Sequence, residues 1–239
     1  MPMPIPLTND RLLIYLDASA VVAWMIPSLH NPSRPDQQNH IQAHQEMESL
    51  IKTASNHRTT PPTLKVIMSR WALTEVHSVL YRDCLWANGV VPAEHVHNGR
   101  YDPRRQVPPD TLSLQQASSI LSCRMQDLAA VADLDIDNTS GEVWQTALRV
   151  GQECAIYAPD SLHLATALHA GCDILVTQDA HFFNSVSHFL GSNVISLIQN
   201  DVFHGVQITP IHVYPVFVSV GMNYPTQNIC QYLVDQGFA

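Results

Sequence analysis

Short apolar segments that alternate with helical ones constrain the fold of this 239-residue chain most. Residues 11–16 (RLLIYL) would be apolar on both faces of a strand, which is typical of a parallel sheet covered by helices. Four more short strands are predicted at KVIMS, ADLDID, ILVT and VISLI, residues 65–69, 132–137, 174–177 and 194–198. Strands that alternate with helices predict an α/β fold: a three-layer sandwich with a central, mostly parallel sheet and helices on both faces.

The helical segments have recognisable starts and ends. Ser69 is suited to cap the helix RWALTEVHSVLYRDCLWA, and Thr139 with Glu142 forms a capping box for a helix over residues 140–152. Gly171 is suited to end a helix that begins beside Asp160. The remaining helices are predicted at ASAVVAWMI (18–26) and at residues 41–55 and 112–130.

Two stretches interrupt this pattern. Residues 27–39 are rich in Pro, Asn and Gln, and residues 91–110 contain four prolines without periodicity, so both are predicted to be loops. We therefore assign one domain to residues 11–200, with insertions near 27–60 and 91–110. A C-terminal extension follows at 201–239; it contains β-rich text (VQITPIHVYPVFVSV), but its structure is not assigned by the pattern.

Composition indicates an ordered protein, because 46% of residues are hydrophobic and 14% are charged. No apolar run is long enough to cross a bilayer, so a soluble, cytoplasmic protein without membrane contact is expected. The five cysteines are odd in number and lack a C-x-x-C pair, which favours reduced thiols over a disulfide framework or zinc site. The net charge of −9 argues against broad electrostatic binding of nucleic acid, but not against phosphate binding through metal ions.

Four carboxylates stand where such a fold would bring them together. Asp17 directly follows the first strand, and Asp179 follows ILVT after one residue. Asp160 begins a helix, and Glu75 lies within a largely apolar one. Each alone has an ordinary explanation as a helix cap, a loop residue or an exposed helix residue. Together they predict a site at the carboxyl edge of the sheet, where a Mg²⁺ or Mn²⁺ ion would relieve their mutual repulsion.

Three segments that carry these acids resemble the motifs of the PIN-domain family. They are LIYLDASAVVAWM, SRWALTEVHSVLYR and YAPDSLHLATALHAGCDILVTQDAHF, and the last is the most specific. The resemblance covers residues 11–200 at the level of element order and is strongest to the ribonuclease toxins of bacterial toxin–antitoxin pairs (the VapC type). Longer stretches between the acids, and the extra tail, depart from the compact toxins.

The resemblance implies a PIN-like sandwich and a Mg²⁺- or Mn²⁺-dependent endoribonuclease that leaves a 5′-phosphate and a 3′-hydroxyl. It further implies that Asp17, Asp160 and Asp179 hold the metal and that Glu75 completes the pocket and serves the attacking water. Ser19 and Thr177 would orient the carboxylates. A homodimer and an antitoxin partner that reaches into the acidic pocket are implied as well. The alternative is a PIN-like binding module without catalysis that acts in a protein or RNA complex.

Two further clusters contain basic or metal-binding residue types. Arg100, Arg104 and Arg105 make the second insertion locally basic, so it is interpreted either as an RNA or partner contact or as a solvated loop. His40, His44 and Glu48 share a predicted helix face, where a solvated surface is favoured over a metal site. An EF-hand at residues 133–144 is set aside, because its sixth and twelfth positions lack the required Gly and Glu.

Overall fold

The computed structural model describes residues 11–25, 37–91, 102, 104, 107–136, 140–192, 211–218, 222 and 227–238. Most of both predicted loops lies outside these ranges, and so does the strand predicted at 194–198. In the described ranges the chain forms five strands and eight helices. The strands are β1 (Arg11–Leu16), β2 (Thr63–Ser69), β3 (Ala132–Ile136), β4 (Ile174–Thr177) and β5 (His212–Pro215).

The helices occupy the segments between the strands, and one follows β5. They are α1 (Ala18–Met25), α2 (Gln37–Asn56), α3 (Arg70–Ala87), α4 (Thr111–Ala129), α5 (Gly141–Cys154), α6 (Ala158–His169), α7 (Ala180–Ser192) and α8 (Ile229–Asp235). None of the helices in the described ranges is both long and apolar enough to cross a bilayer.

The sheet has the strand order β3-β2-β1-β4-β5, and every neighbouring pair is parallel. β1 lies at its centre, where Ile14 is in register with Val66 on one side and Ile174 on the other. The carboxyl ends of all five strands therefore lie at one edge. This edge receives the residues that follow β1 and β4.

Two hydrophobic cores cover the two faces of the sheet and confirm the predicted three-layer architecture. Because successive side chains of a strand alternate between faces, Leu12, Ile14 and Leu16 of β1 enter one core and Leu13 and Tyr15 the other. The first core is completed by side chains from α1 to α4 and α8. The second is completed by α5, α6 and α7.

Helix caps explain where several helices begin. Ser69 caps α3 as predicted, with its Oγ accepting from the Ala72 amide at 3.1 Å. For α5 the prediction is wrong by one residue, because the N-cap is Ser140, whose backbone is extended and whose Oγ accepts from the Val143 amide. Gly171 follows the last turn of α6 at φ +68°, a conformation that glycine adopts without strain.

Helix α2 begins earlier than the loop prediction for residues 27–39 allows, since Gln37 is already helical. The residues at its inner face also correct the interpretation of His44 and Glu48. The Trp24 indole donates to Glu48 Oε1 at 2.7 Å, and His44 Nδ1 lies 2.8 Å from the Trp24 carbonyl. These two side chains hold α1 against α2, so this face of the helix is not purely solvated.

The segment beyond residue 210 is built into the same sheet and core. β5 pairs with β4, and Tyr232 of α8 packs on Tyr214 with 4.6 Å between ring centroids. Phe238 is buried and lies edge-on to the His57 ring at 5.2 Å. The C-terminal extension, whose structure the sequence pattern leaves unassigned, thus supplies the fifth described strand.

Candidate active site

Asp17 is placed by the end of β1 and the start of α1. Its backbone amide donates to the Val176 carbonyl at 3.1 Å, which continues the pairing of β1 with β4 by one residue. Its carboxylate is buried, and Oδ1 accepts from the Ala20 amide at 2.8 Å, as in a helix N-cap. The strand and the helix together fix the carboxylate at the carboxyl edge of the sheet.

The Ser19 hydroxyl connects this carboxylate to the loop after β4. Its Oγ donates to Asp17 at 2.8 Å from Oδ1 and 3.0 Å from Oδ2, and it lies 3.1 Å from Thr177 Oγ1. The same oxygen accepts from the backbone amides of Gln178 at 2.8 Å and Asp179 at 3.0 Å. One hydroxyl therefore sets the position of two predicted acids relative to each other.

Asp179 is exposed and immediately precedes α7. Its Oδ1 accepts from the amides of His181 at 2.7 Å and Phe182 at 3.0 Å, and its own amide donates to Thr177 Oγ1 at 3.0 Å. The preceding side chain, Gln178, makes two hydrogen bonds to the backbone of Phe217 just after β5. The loop that carries Asp179 is thus supported from the residues after β5 as well as from Ser19 of α1.

Glu75 reaches the site from α3 and is held by a histidine that the sequence prediction missed. Its Oε2 lies 2.6 Å from Nε2 of His163, which is only 3% exposed. His163 Nδ1 lies 2.9 Å from the Tyr15 hydroxyl, which in turn lies 2.9 Å from Ser69 Oγ. An ionised carboxylate can only accept, so His163 Nε2 carries the proton between them. His163 is one helical turn after Asp160, and that spacing is the signal by which it could have been found.

Asp160 lies in the first turn of α6, where the dipole of the helix favours a negative charge. Even so, its pKa is raised to about 7, first by burial and then by the charges of Asp179, Asp17 and Glu75. A positive charge on His163 acts in the opposite direction. The other three predicted acids therefore all act electrostatically on Asp160.

The pKa of Asp17 is also raised, and burial is the largest cause. The charge of His163 and hydrogen bonds from Thr177, the Ala20 amide and Ser19 oppose that rise. Two of the four acids thus resist ionisation in a metal-free pocket. A bound cation would remove this cost.

The predicted acids offer the oxygen ligands that a hard divalent cation prefers, and they would leave part of its coordination shell to water or substrate. Within the described part of the chain, no three acidic, histidine or cysteine side chains form a group that could hold a metal ion between them. Mg²⁺ is commonly held by one or two carboxylates, with waters and substrate phosphates completing its shell. One or two of Asp17, Asp160 and Asp179 would supply those carboxylates directly and the others through water, and Mn²⁺ accepts the same oxygen ligands.

The structure describes one of the three arginines in the predicted basic insertion. Arg104 binds the Asp102 carboxylate through Nε and Nη2, both at 2.8 Å, and its Nη1 donates to Ser78 Oγ at 2.6 Å. Its guanidinium thus ties the insertion to α3. Arg100 and Arg105 lie outside the described residues.

Comparison of the sequence with protein-family models and with curated proteins finds no match. The resemblance to PIN domains therefore depends on the three motifs and the order of elements.

Proposed function

We propose that this chain is a divalent-metal-dependent endoribonuclease of the PIN type. The observation that carries the proposal is the hydrogen-bonded connection through Ser19, which brings Asp17 at the end of β1 beside the loop of Asp179 after β4. In open parallel sheets, ligands bind at this edge. The raised pKa values of Asp17 and Asp160 support a pocket suited to a cation.

In the proposed mechanism the chain's own residues orient the reactants. Asp17, Asp160 and Asp179 would hold Mg²⁺ or Mn²⁺, with Ser19 and Thr177 fixing the direction of the carboxylates. The bound ion would polarise a phosphoryl oxygen and favour ionisation of the attacking water. Glu75, fixed by His163, would accept the proton of that water and align it for attack in line with the leaving 3′-oxygen.

The test is cleavage of single-stranded RNA of mixed sequence by the purified protein with Mn²⁺ or Mg²⁺. We expect cleavage that stops in EDTA and in the variants Asp17→Asn and Asp160→Asn. Asp127→Asn is the matched control, because Asp127 is 61% exposed on α4 and none of the four acids lies on that helix. Products should carry 5′-phosphate and 3′-hydroxyl ends. Cleavage that persists in Asp17→Asn would refute the assignment.

A non-catalytic binding module is the outcome to be separated from this one. It predicts no cleavage across a broad RNA pool and no heat of Mn²⁺ binding in calorimetry. Mn²⁺ binding without cleavage would instead indicate a narrow substrate range or a missing activator.

The proposal also includes an antitoxin partner and a homodimer, and both rest on the motif resemblance alone. A short reading frame beside the gene would support the partner if two results are obtained. Expression of this chain alone should inhibit cell growth, and co-expression of the neighbouring protein should restore it. Sedimentation of the purified chain would give its oligomeric state.

A further inference from the structure

Two aromatic rings are stacked on each other at the surface. The rings of Tyr157 and His181 have centroids 5.1 Å apart and an angle of 29° between their planes. Tyr157 is 67% exposed, and His181 is exposed as well. A stacked partner covers only one face of a ring, so this degree of exposure leaves the outer face of Tyr157 open to solvent.

Each ring is connected to a different acid by a very short stretch of chain. Tyr157 is the N-cap residue of α6, and Asp160 stands in the first turn of that helix. His181 is two residues after Asp179, and its amide donates to that carboxylate at 2.7 Å. Two residues span at most about 7 Å of chain. The stacked pair therefore lies beside the acids, within the reach of a nucleotide whose phosphate contacts them.

The charge of the protein indicates what kind of contact the substrate would need. With 12 basic and 21 acidic residues, the chain gains little from the general attraction of phosphate to Lys and Arg. Arg104, the one described arginine of the predicted basic insertion, is already bound to Asp102 and Ser78. Aromatic rings bind unpaired bases without a net positive charge, because every base has a π-face.

We propose that Tyr157 and His181 form a stacking platform for one unpaired base of single-stranded RNA, adjacent to the acids. This inference rests on the proposed ribonuclease function for the identity of the substrate. The open face of Tyr157 receives the base, and His181 supports the tyrosine from behind. Duplex RNA does not use the platform, because its bases are already paired with each other and stacked within the helix.

The experiment measures binding separately from cleavage. Fluorescein-labelled single-stranded RNA of about ten nucleotides is titrated with protein in Ca²⁺ and in EDTA, and fluorescence anisotropy gives the dissociation constant. We expect Tyr157→Ala to weaken binding roughly 5- to 100-fold, the range observed when one stacking ring is removed. Tyr157→Phe keeps the ring and should bind nearly as the wild type does.

A matched control comes from another exposed aromatic residue. Trp144 is 47% exposed on α5, a helix that carries none of the four acids, so Trp144→Ala should leave RNA binding unchanged. Duplex RNA of the same sequence should bind the wild type and Tyr157→Ala equally.

An abasic scan distinguishes base stacking from a purely structural role of the ring. One abasic nucleotide is moved along the oligonucleotide, and at one position it should weaken binding to the wild type about as much as Tyr157→Ala does. In Tyr157→Ala the same abasic change should have little further effect. Independent, additive losses would overturn the proposal, and so would RNA binding that Tyr157→Ala leaves intact.

The outcomes also separate this inference from the proposed function. RNA binding that depends on Tyr157, with neither metal-dependent cleavage nor Mn²⁺ binding, would support the platform and refute the ribonuclease. Cleavage that requires Asp160, with kinetic constants unchanged in Tyr157→Ala, would do the reverse. A wild-type protein that binds no single-stranded RNA would overturn the platform.

Discussion

His163 and Glu75 are 88 residues apart in the chain, yet Nε2 of the imidazole lies 2.6 Å from Oε2 of the carboxylate. The other imidazole nitrogen is fixed by the buried hydroxyl of Tyr15. Burial raises the pKa of Tyr15, which keeps that group a hydroxyl at neutral pH. Glu75 is therefore a partly exposed acid whose direction is set by a buried partner, so His163 would be a positioning residue in the proposed mechanism.

Replacing His163 should impair catalysis more than substrate binding. We expect His163→Ala to lower kcat roughly 10- to 100-fold with little change in KM, because Glu75 would lose the group that directs it toward the attacking water. Steady-state cleavage of a labelled RNA in Mn²⁺ provides both constants. His163→Gln, which can present an amide N–H to Glu75, should recover part of kcat.

A loss of kcat through misfolding must be distinguished from a loss of positioning. The circular dichroism spectrum and melting curve of His163→Ala should show a folded protein, and Mn²⁺ should still bind. Equal activity in His163→Ala and wild type would contradict a positioning role.

Removal of the Ser19 hydroxyl should affect both stability and metal binding. Ser19→Ala leaves the Gln178 amide without its acceptor and Asp17 without one of its donors, so we expect a loss of about 1–3 kcal/mol in the free energy of unfolding. Mn²⁺ affinity should fall roughly 10- to 100-fold, as is typical when a group that orients a ligand is lost. Urea denaturation and calorimetry measure the two effects.

Ser185→Ala is a suitable control for that variant, because Ser185 is on α7 away from the carboxyl edge of the sheet. It should change neither quantity appreciably. An unaltered Mn²⁺ affinity in Ser19→Ala would show that the hydroxyl does not orient the acids.

The raised pKa of Asp160 predicts how stability depends on pH in the metal-free protein. The carboxyl has a pKa of about 7 when folded and about 4 when unfolded, so the folded state binds the proton more tightly between these values. Its stabilising contribution is complete below about pH 4 and is lost as pH rises through about 7. In Asp160→Asn the side chain does not titrate, so the stability of this variant is not lowered by ionisation at this position as pH rises.

In EDTA, Asp160→Asn should therefore become more stable relative to wild type between about pH 4 and pH 8. We expect a change on the order of 1 kcal/mol, less than the full pKa shift implies, because the group is partly exposed and screened. Urea denaturation at both pH values measures it. Saturating Mn²⁺ should reverse the order at the higher pH, and a difference between the proteins that does not vary with pH would contradict the burial of Asp160 among other acids.

The tail should contribute to global stability. Phe238 is 1% exposed, and Phe238→Ala should lower the free energy of unfolding by about 3 kcal/mol through the cavity that it leaves. Val234→Ala is the matched control: Val234 is 54% exposed on α8, so its effect should stay below about 0.5 kcal/mol. Equal urea midpoints for the two variants would mean that the tail is not part of the cooperative core.

The sequence alone predicts most of the central sheet, because its strands are short and apolar on both faces. The predicted bounds of β1 and β4 match the observed ones. β5 could not be assigned in this way: HVYP is only four residues long and lies within a longer β-rich stretch, so its identity as a strand depends on the partner that β4 provides.

The sequence motifs also predict the positions of the four acids, but they do not predict the hydrogen bonds that connect these acids with other side chains. His163 stands in a largely buried helix, and its contact with Glu75 arises only when the fold brings these side chains of α3 and α6 together. Ser140 is the cap where the sequence predicts Thr139, because either neighbouring hydroxyl residue suits an N-cap and pattern alone does not decide between them.

The support that Gln178 receives from Phe217 has a consequence for the order of events during translation. The loop of Asp179 is anchored to a segment that leaves the ribosome after all four acids have been made. Long-range parallel pairing of this kind forms late, since the chain must first be available to close it. Ribosome-stalled chains that end before residue 211 should therefore lack the anchor of the Asp179 loop, and under the proposed function such a chain could not yet cut the message to which it is attached.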